Sequence, residues 1–428
     1  MAATNDRGNS YHTLGTNSSP DYFLEPWLES HWTSAHFTTL SSGDPNGDAP
    51  IYRHAAAAGR GFGTFKGVVD TELYAYGIPG RVRRQNNPAV QLESYFNVTR
   101  HTVKQALLLR PEEQVLTPQK LGASYARKLA RWWTPYEERW AFRTMSAGGF
   151  TFPPLTTDVP FNSYTDAQLI ATMEEAFTST TTFESASGVA KDGYGEGSTG
   201  ACAVFCSDAD PGYIVGVTSN TYATMNETNG INPKAVSACA ARLRNRGVAP
   251  PALNPQAGMP SAGRGYILFV EANGFYALTH HEDWETRETY AGVRGLNNMF
   301  WKGRDNEVAM IDGNLVINTS FPHANSHMYP QRTPLRCEVI DCNGSQNYVK
   351  VEGFMVGANC LCQVPYTETV DVDTWLVDGA TPRTAEQYFG IWIHTGFGLI
   401  KNAQIDSAQT GVEDIDRHAH FFYTAPIV

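Results

Sequence analysis

Between Thr117 and Gly148 the sequence writes one long apolar stripe, and no other stretch restricts the fold as much. Leu121, Tyr125, Leu129, Trp132, Trp133, Tyr136 and Trp140 recur at steps of one to four residues, which places them on one face of a helix. Thr117 is a good N-cap, Pro118 suits the first helical position, and Gly148-Gly149 ends the run. A helix over 118–145 would be about 42 Å long. Arg127, Lys128, Arg131, Glu137, Glu138 and Arg139 fall mostly off the stripe. Pro135 lies inside it and should kink or split the helix at 131–135. A stripe of this length cannot be buried inside one compact lobe, so it calls for a sheet laid along it.

The flanking segments suggest where that sheet comes from. Residues 1–50 are rich in Ser, Thr, Asn, Gly and Pro, interrupted by YFLEPWLESHW. This reads as an extended arm that docks through Phe23, Leu24, Trp27 and Trp32. GRGFGTFKG and YGIPGRVRRQNNP punctuate 51–92 with turn chemistry around the strand-like TFKGVVDTELYAY, which predicts a projecting hairpin or loop. Residues 92–110 read as strand. After the long helix, shorter helices are predicted over 166–177, 233–247 and 282–293, with Gly247 as a C-terminal cap. Residues 248–264 are a Pro/Gly-rich link. ACAVFC and GYIVGV read as strands, and GYILFVEANGFYAL (265–278) as a buried strand followed by a turn. GNLVINTSF, NYVKVEGFMVGANCLCQVPY, FGIWIHTGFGLIKN and the terminal HAHFFYTAPIV are further strands. The class is α+β.

Composition excludes several functions. A chain of 428 residues suits two or three lobes, and a hydrophobic fraction of 42% supports packed cores. Charged residues are only 18%, which suits a surface covered by partner subunits as well as an ordinary neutral one. The net charge of −11 argues against dedicated nucleic-acid binding, although Arg81, Arg83, Arg84 and Arg127, Lys128, Arg131 form local basic sets. No window is long and apolar enough for a membrane helix, and the N-terminus lacks the apolar core of a signal peptide. The glycosylation patterns at Asn97, Asn226, Asn318 and Asn343 therefore carry no weight. The seven cysteines are scattered and odd in number, which points to buried thiols and not to a disulfide scaffold.

Several sets of residues resemble reactive centres. His280-His281-Glu282-Asp283 lacks metal-ligand spacing and reads as a polar turn leading to Trp284. Cys360-x-Cys362 and Cys337-x4-Cys342 lack the two-residue zinc spacing; on one strand Cys360 and Cys362 would share a face as core. His418 and His420 would also share a strand face, with no third ligand evident. Glu137-Glu138 and Asp414/Asp416 look like ordinary surface charges. GRGFG has neither a strand–helix context nor a phosphate-loop lysine. Nothing assembles nucleophile, base and orienter. No catalytic, cofactor-binding or metal-binding residue is assigned, and no enzyme is expected.

The order of the parts looks like the subunit of a tailed-phage shell of the Hong Kong 97-type fold. Two stretches resemble the major capsid family of podoviruses related to coliphage N-four. One runs from YFNVTRHTVKQALLL through KLGASYARKLARWWTPYEERWAF; the other is GYILFVEANGFYALTHHEDWE followed by AGVRGLNNMFWKGRDNEVAMIDGNLVI. The second carries Trp284, Asn297-Asn298, Gly303, Asp312-Gly313 and Val316-Ile317 in the family's order. The resemblance implies an N-terminal arm (1–50), an extended loop (51–92) and a peripheral domain with its spine helix (93–180). It further implies an axial domain interleaved with peripheral segments at about 233–300 (181–405) and a C-terminal strand returning to the peripheral domain (406–428). It implies hexamers and pentamers of one chain enclosing double-stranded DNA, made in the bacterial cytoplasm and carried in the virion, with scaffolding, portal and cementing proteins as further partners and no membrane. Lys66 lies in the loop, but no partner Asn or carboxylate for a covalent cross-link is identifiable. A tail or decoration protein, or a carbohydrate-active enzyme, are the competing classes.

Overall fold

The computed structural model describes residues 35–38, 40–43, 48–54, 64–74, 90–99, 101–109, 118–147, 202–215, 222–252, 264–286, 308–321, 333–342, 345–364, 371–376, 387–405 and 412–428. Five strands precede the long helix: β1 (Ser41–Ser42), β2 (Ile51–Arg53), β3 (Thr64–Tyr74), β4 (Val90–Thr99) and β5 (His101–Leu109). The helix α1 is Pro118–Ala147, and β6 (Cys202–Cys206), β7 (Tyr213–Val215), α2 (Pro233–Asn245), β8 (Ile267–Val270) and α3 (Ala272–Thr279) follow. The chain ends in β9 (Val308–Ile311), β10 (Asn314–Asn318), β11 (Arg336–Cys342), β12 (Ser345–Val356), β13 (Leu361–Val364), β14 (Asp371–Leu376), β15 (Gln387–Leu399), β16 (Lys401–Ile405), β17 (Val412–Asp416) and β18 (His418–Pro426).

The strands form two principal sheets. A six-stranded sheet runs β1-β2-β13-β15-β14, with β5 also paired to β15. An eight-stranded sheet runs β7-β6-β18-β12-β8-β10-β9, with β11 on β12. β3 and β4 make a separate antiparallel hairpin, and β16 pairs with β17. The segment NYVKVEGFMVGANCLCQVPY thus divides between sheets: β12 belongs to the larger one and β13 to the smaller. β2 lies parallel to β13, so Ile51–Arg53 is sheet, while the hairpin itself spans Thr64 to Thr99.

Three sequence expectations change. The helix is not split at Pro135; it runs unbroken to Ala147. Proline removes one N–H, the donor to the Arg131 carbonyl, and Arg131 lies on the exposed side of the helix. Glu137, Glu138 and Arg139 are not surface charges: all three are buried. The segment expected as a turn after β8 is the helix α3 instead, capped by the Glu271 carboxylate, which accepts the Asn273 and Gly274 N–H groups. Gly274 has a packing reason as well, since a Cβ there would meet the Tyr423 ring at 2.3 Å. The terminal strand lies in the eight-stranded sheet, against which the end of α1 packs, with His418 Nε2 on the Met145 carbonyl. β18 sits inside the eight-stranded sheet, parallel to β6 and antiparallel to β12. Every residue from His418 to Ala425 is buried, and a strand buried on both faces needs a central position.

Local chemistry explains the remaining elements. Asn232 caps α2 through the Ala235 N–H, with Pro233 in the first turn. Asp312 and Gly313 both have positive φ, 48° and 79°, so a two-residue turn joins β9 to β10. Among the described residues no helix is long and apolar enough to cross a membrane. The arm residues Phe23, Leu24, Trp27 and Trp32, the predicted helix 166–177, Thr117, Gly148-Gly149, Arg81, Arg83, Arg84, Asn297-Asn298 and Gly303 lie outside the described residues.

Candidate functional site, a buried polar seam and a projecting hairpin

The second half of α1 is buried almost all round, and it joins the two sheets. Trp140 meets Phe397 of β15 edge-on at 5.5 Å, while Phe142 stacks on Phe354 of β12 at 5.6 Å. Phe37, from the segment before β1, stacks on Phe142 at 5.0 Å and meets Phe269 of β8 at 4.8 Å. Such aromatic pairs add to the burial of apolar area.

Polar side chains are threaded through this apolar junction. Glu138 is fully buried; its Oε1 accepts the backbone N–H of His36 and of Phe37, the latter at 2.6 Å. Burial raises its carboxyl to about 8, against the lowering effect of the N–H groups of Phe37, His36 and Thr38, and neighbouring Glu137 raises it further. Glu137 turns to the smaller sheet, where its Oε1 accepts from Gln363 Nε2 at 2.8 Å. At the helix end, Ser146 Oγ donates to both oxygens of Glu352 on β12, at 3.0 and 3.1 Å. His420 Nδ1 lies 2.8 Å from Glu352 Oε1, and Arg336 approaches the same carboxylate at 4.0 Å. His418 Nε2 donates to the Met145 carbonyl at 3.1 Å, and Nδ1 has no hydrogen-bond partner among the described residues. Burial pulls His418 down to about 3.

Ser146, Glu352 and His420 have the residue types of a hydrolytic triad but not its wiring. The serine hydroxyl is spent on the carboxylate, not on the imidazole, and all three side chains are buried. The other sets fare likewise. Cys362 packs with Phe96, Val98, Val364 and Ile400, while Cys360 belongs to the main core, so the two cysteines do not share one cluster. Burial pushes the Cys360 thiol up to about 12, far from a reactive thiolate. His280 stacks on Tyr276 at 4.0 Å and His281 Nδ1 accepts the Asp283 N–H, a polar turn ahead of buried Trp284. Asp416 is buried and pairs with Lys401 at 3.2 Å, so it too is not a plain surface charge. Among the described residues no group of His, Cys, Asp and Glu is placed to hold a metal ion.

Sequence reading missed the seam. Its only signal was that charged residues at 137–139 and 143 interrupt a helix whose apolar positions, Trp133, Trp140, Ala141, Phe142 and Met145, extend beyond a single face.

The hairpin is built differently. Phe96 and Val98 point inward and pack with Cys362, Val364 and Ile400. The backbone of β4 crosses β15 so closely at Gly398 that a Cβ there would lie 2.3 Å from the Asn97 carbonyl oxygen. On the opposite face Val68 and Tyr95 are 50% and 56% exposed, and Lys66 lies over the Tyr95 ring at 4.7 Å. A two-stranded ribbon with one face in water is marginal by itself.

No protein-family model matches the sequence, and no curated protein is similar to it. Solved structures are similar in fold. A chain in the capsid of Ralstonia phage GP4 aligns over 92% of this chain and 91% of its own length, with a TM-score of 0.55 at 10% identity. One in the capsid asymmetric unit of cyanophage Pam1 aligns over 92% of both, with a TM-score of 0.50 at 11% identity. The chain therefore has the mixed α/β fold of those capsid chains.

Proposed function

We propose that this chain is the major capsid protein of a tailed phage, which self-assembles into an icosahedral shell around double-stranded DNA. The observation that carries the reading is the end-to-end likeness to a GP4 capsid chain, 92% of this chain at a TM-score of 0.55, not confined to one lobe. The resemblance of 95–145 and 265–317 to the N-four-like podovirus family points the same way.

In this reading the hairpin of β3 and β4 is the extended loop, α1 is the spine of the peripheral domain, and the eight-stranded sheet with α2 and α3 is the axial domain. The subunit's work is geometric: α1 fixes both sheets at one angle, and the exposed hairpin face is covered by neighbouring copies in hexamers and pentamers. Many modest contacts of this kind add to a stable closed shell. The protein is then made in the host cytoplasm and carried in the virion, with scaffolding, portal and cementing proteins as partners and no catalytic role.

Sedimentation and negative-stain microscopy of the purified chain, alone and coexpressed with the other head proteins of its phage, test this. Closed particles are expected. A protein that stays monomeric in both cases overturns the reading.

A further inference from the structure

The Glu138 contact needs an acceptor but not an ionised one. A glutamine would fill the same place and still accept, whereas an apolar side chain would leave the His36 and Phe37 N–H groups unpaired in a junction made of Phe37, Phe142 and Phe269. That acceptor makes a bond to a segment 101 residues away in sequence: Oε1 holds the His36 and Phe37 N–H groups, and Phe37 is fully buried against the helix. Oε2 is different. It is buried and has no hydrogen-bond partner among the described residues. A proton on Oε2 makes the group neutral and leaves Oε1 free to accept. Without that proton a negative charge sits in an apolar site beside Glu137, and an unpaired buried charge is costly.

The groups that face this site do not cancel the charge. On its own helix the buried charged groups are Glu137, Arg139 and Arg143; Glu137 raises the Glu138 carboxyl further, and neither arginine pairs with it. From the segment, His36 turns its ring onto Phe321 at 5.1 Å. From β2, Arg53 directs its guanidinium to the Thr38 carbonyl at 3.4 Å and to Gln363 Oε1 at 3.2 Å. β8 contributes Ile267, Leu268, Phe269 and Val270, none of which titrates. Glu138 makes no ion pair among the described residues, and His36 and Phe37 cover it through their N–H groups.

We infer that Glu138 is a proton-operated latch: with its proton it holds residues 35–38 in the core, and on losing it the segment is released. The sign follows from linkage. An uncovered carboxyl titrates near its ordinary 4.5 and the covered one near 8, so closing the latch takes up a proton between these values. Closure weakens as pH rises through that window, by up to about tenfold per pH unit for one proton, and levels off above it. The inference concerns the folded subunit and stands whether or not the chain builds a shell.

Hydrogen exchange of the full-length chain from pH 5 to pH 9, corrected for intrinsic exchange, reads the latch directly. Protection of the His36, Phe37 and Thr38 amides should fall by up to about tenfold per unit between pH 5 and 8. The Leu268 and Phe269 amides should stay level over the same range, and Glu138→Gln should abolish the slope at 36–38. A flat wild-type profile at 36–38, a slope shared by 268–269, or a slope that persists in E138Q overturns the proposal. If E138Q does not fold, the wild-type contrast between 36–38 and 268–269 decides alone.

Discussion

The seam at the end of α1 and the hairpin of β3 and β4 handle exposed chemistry in opposite ways. The seam closes on itself: Ser146, Glu352 and His420 bond one another inside the protein, and Gln363 takes Glu137. The hairpin closes only at its base, where Phe96 and Val98 pack on Cys362 and Ile400, and it leaves Tyr95 and Val68 in water. One region holds the chain together; the other, in the proposed reading, is covered by neighbouring copies. The stability of the folded chain and its capacity to assemble should therefore respond to different substitutions.

Trp133→Asp should have the largest effect. It puts an unpaired charge at a fully buried position of α1 and should cost about 5 kcal/mol or more, visible as loss of soluble folded protein. Folded protein at wild-type yield would show that the helix does not bury this face. Gly398→Leu comes next. Its side chain has to displace the Asn97 carbonyl, at about 3 kcal/mol, and thermal unfolding together with amide exchange at 96–98 would report a loosened hairpin base. An unchanged hairpin would break the claim that its base is anchored there. Ser146→Ala removes a donor from buried Glu352 and should cost about 1.5 kcal/mol in chemical denaturation while leaving the hairpin untouched.

The seam also has a pH signature. His418 titrates at about 3 when folded and near 6.5 when unfolded, so the unfolded chain holds the extra proton between those values. Its contribution to stability is whole above 6.5 and is lost as pH falls toward 3. Glu138 acts with the opposite sign, favouring the folded state as pH falls from 8 toward 4.5, so the two overlap. The clean measurement is therefore the wild-type stability profile minus that of His418→Gln, which should slope only below about pH 6.5. The smallest effect belongs to the exposed face of the hairpin: Lys66→Ala loses one exposed contact with Tyr95 and should change the stability of the chain by under about 0.5 kcal/mol. A large thermal shift would mean that the hairpin is held from within the chain after all.

The same contrast explains what the sequence disclosed. α1 was legible because Trp133 and Trp140 keep helical spacing, and the terminal strand because His418 to Ala425 is apolar enough to read as buried. The position of that strand was not legible, since pairing with β6 and β12 spans more than 60 residues in each case and leaves no local mark. Glu137 and Glu138 were misread because residue type suggests a surface, and only the convergence of Phe37, Gln363 and the helix buries them. The Glu271 cap was not legible because the helix it starts has only eight residues, too few to show a helical period. The hairpin's strands were visible in their turn residues; its crossing point was not, because one glycine, Gly398, marks it.

Hydrogen exchange compared between free subunits and assembled particles tests the division most directly. The account predicts that protection over 64–74 and 90–99 rises on assembly, while protection over 137–146 and 352–356 is already high in the free chain and hardly changes. Hairpin amides that exchange equally in both states, or seam amides that gain protection only in the particle, would contradict it.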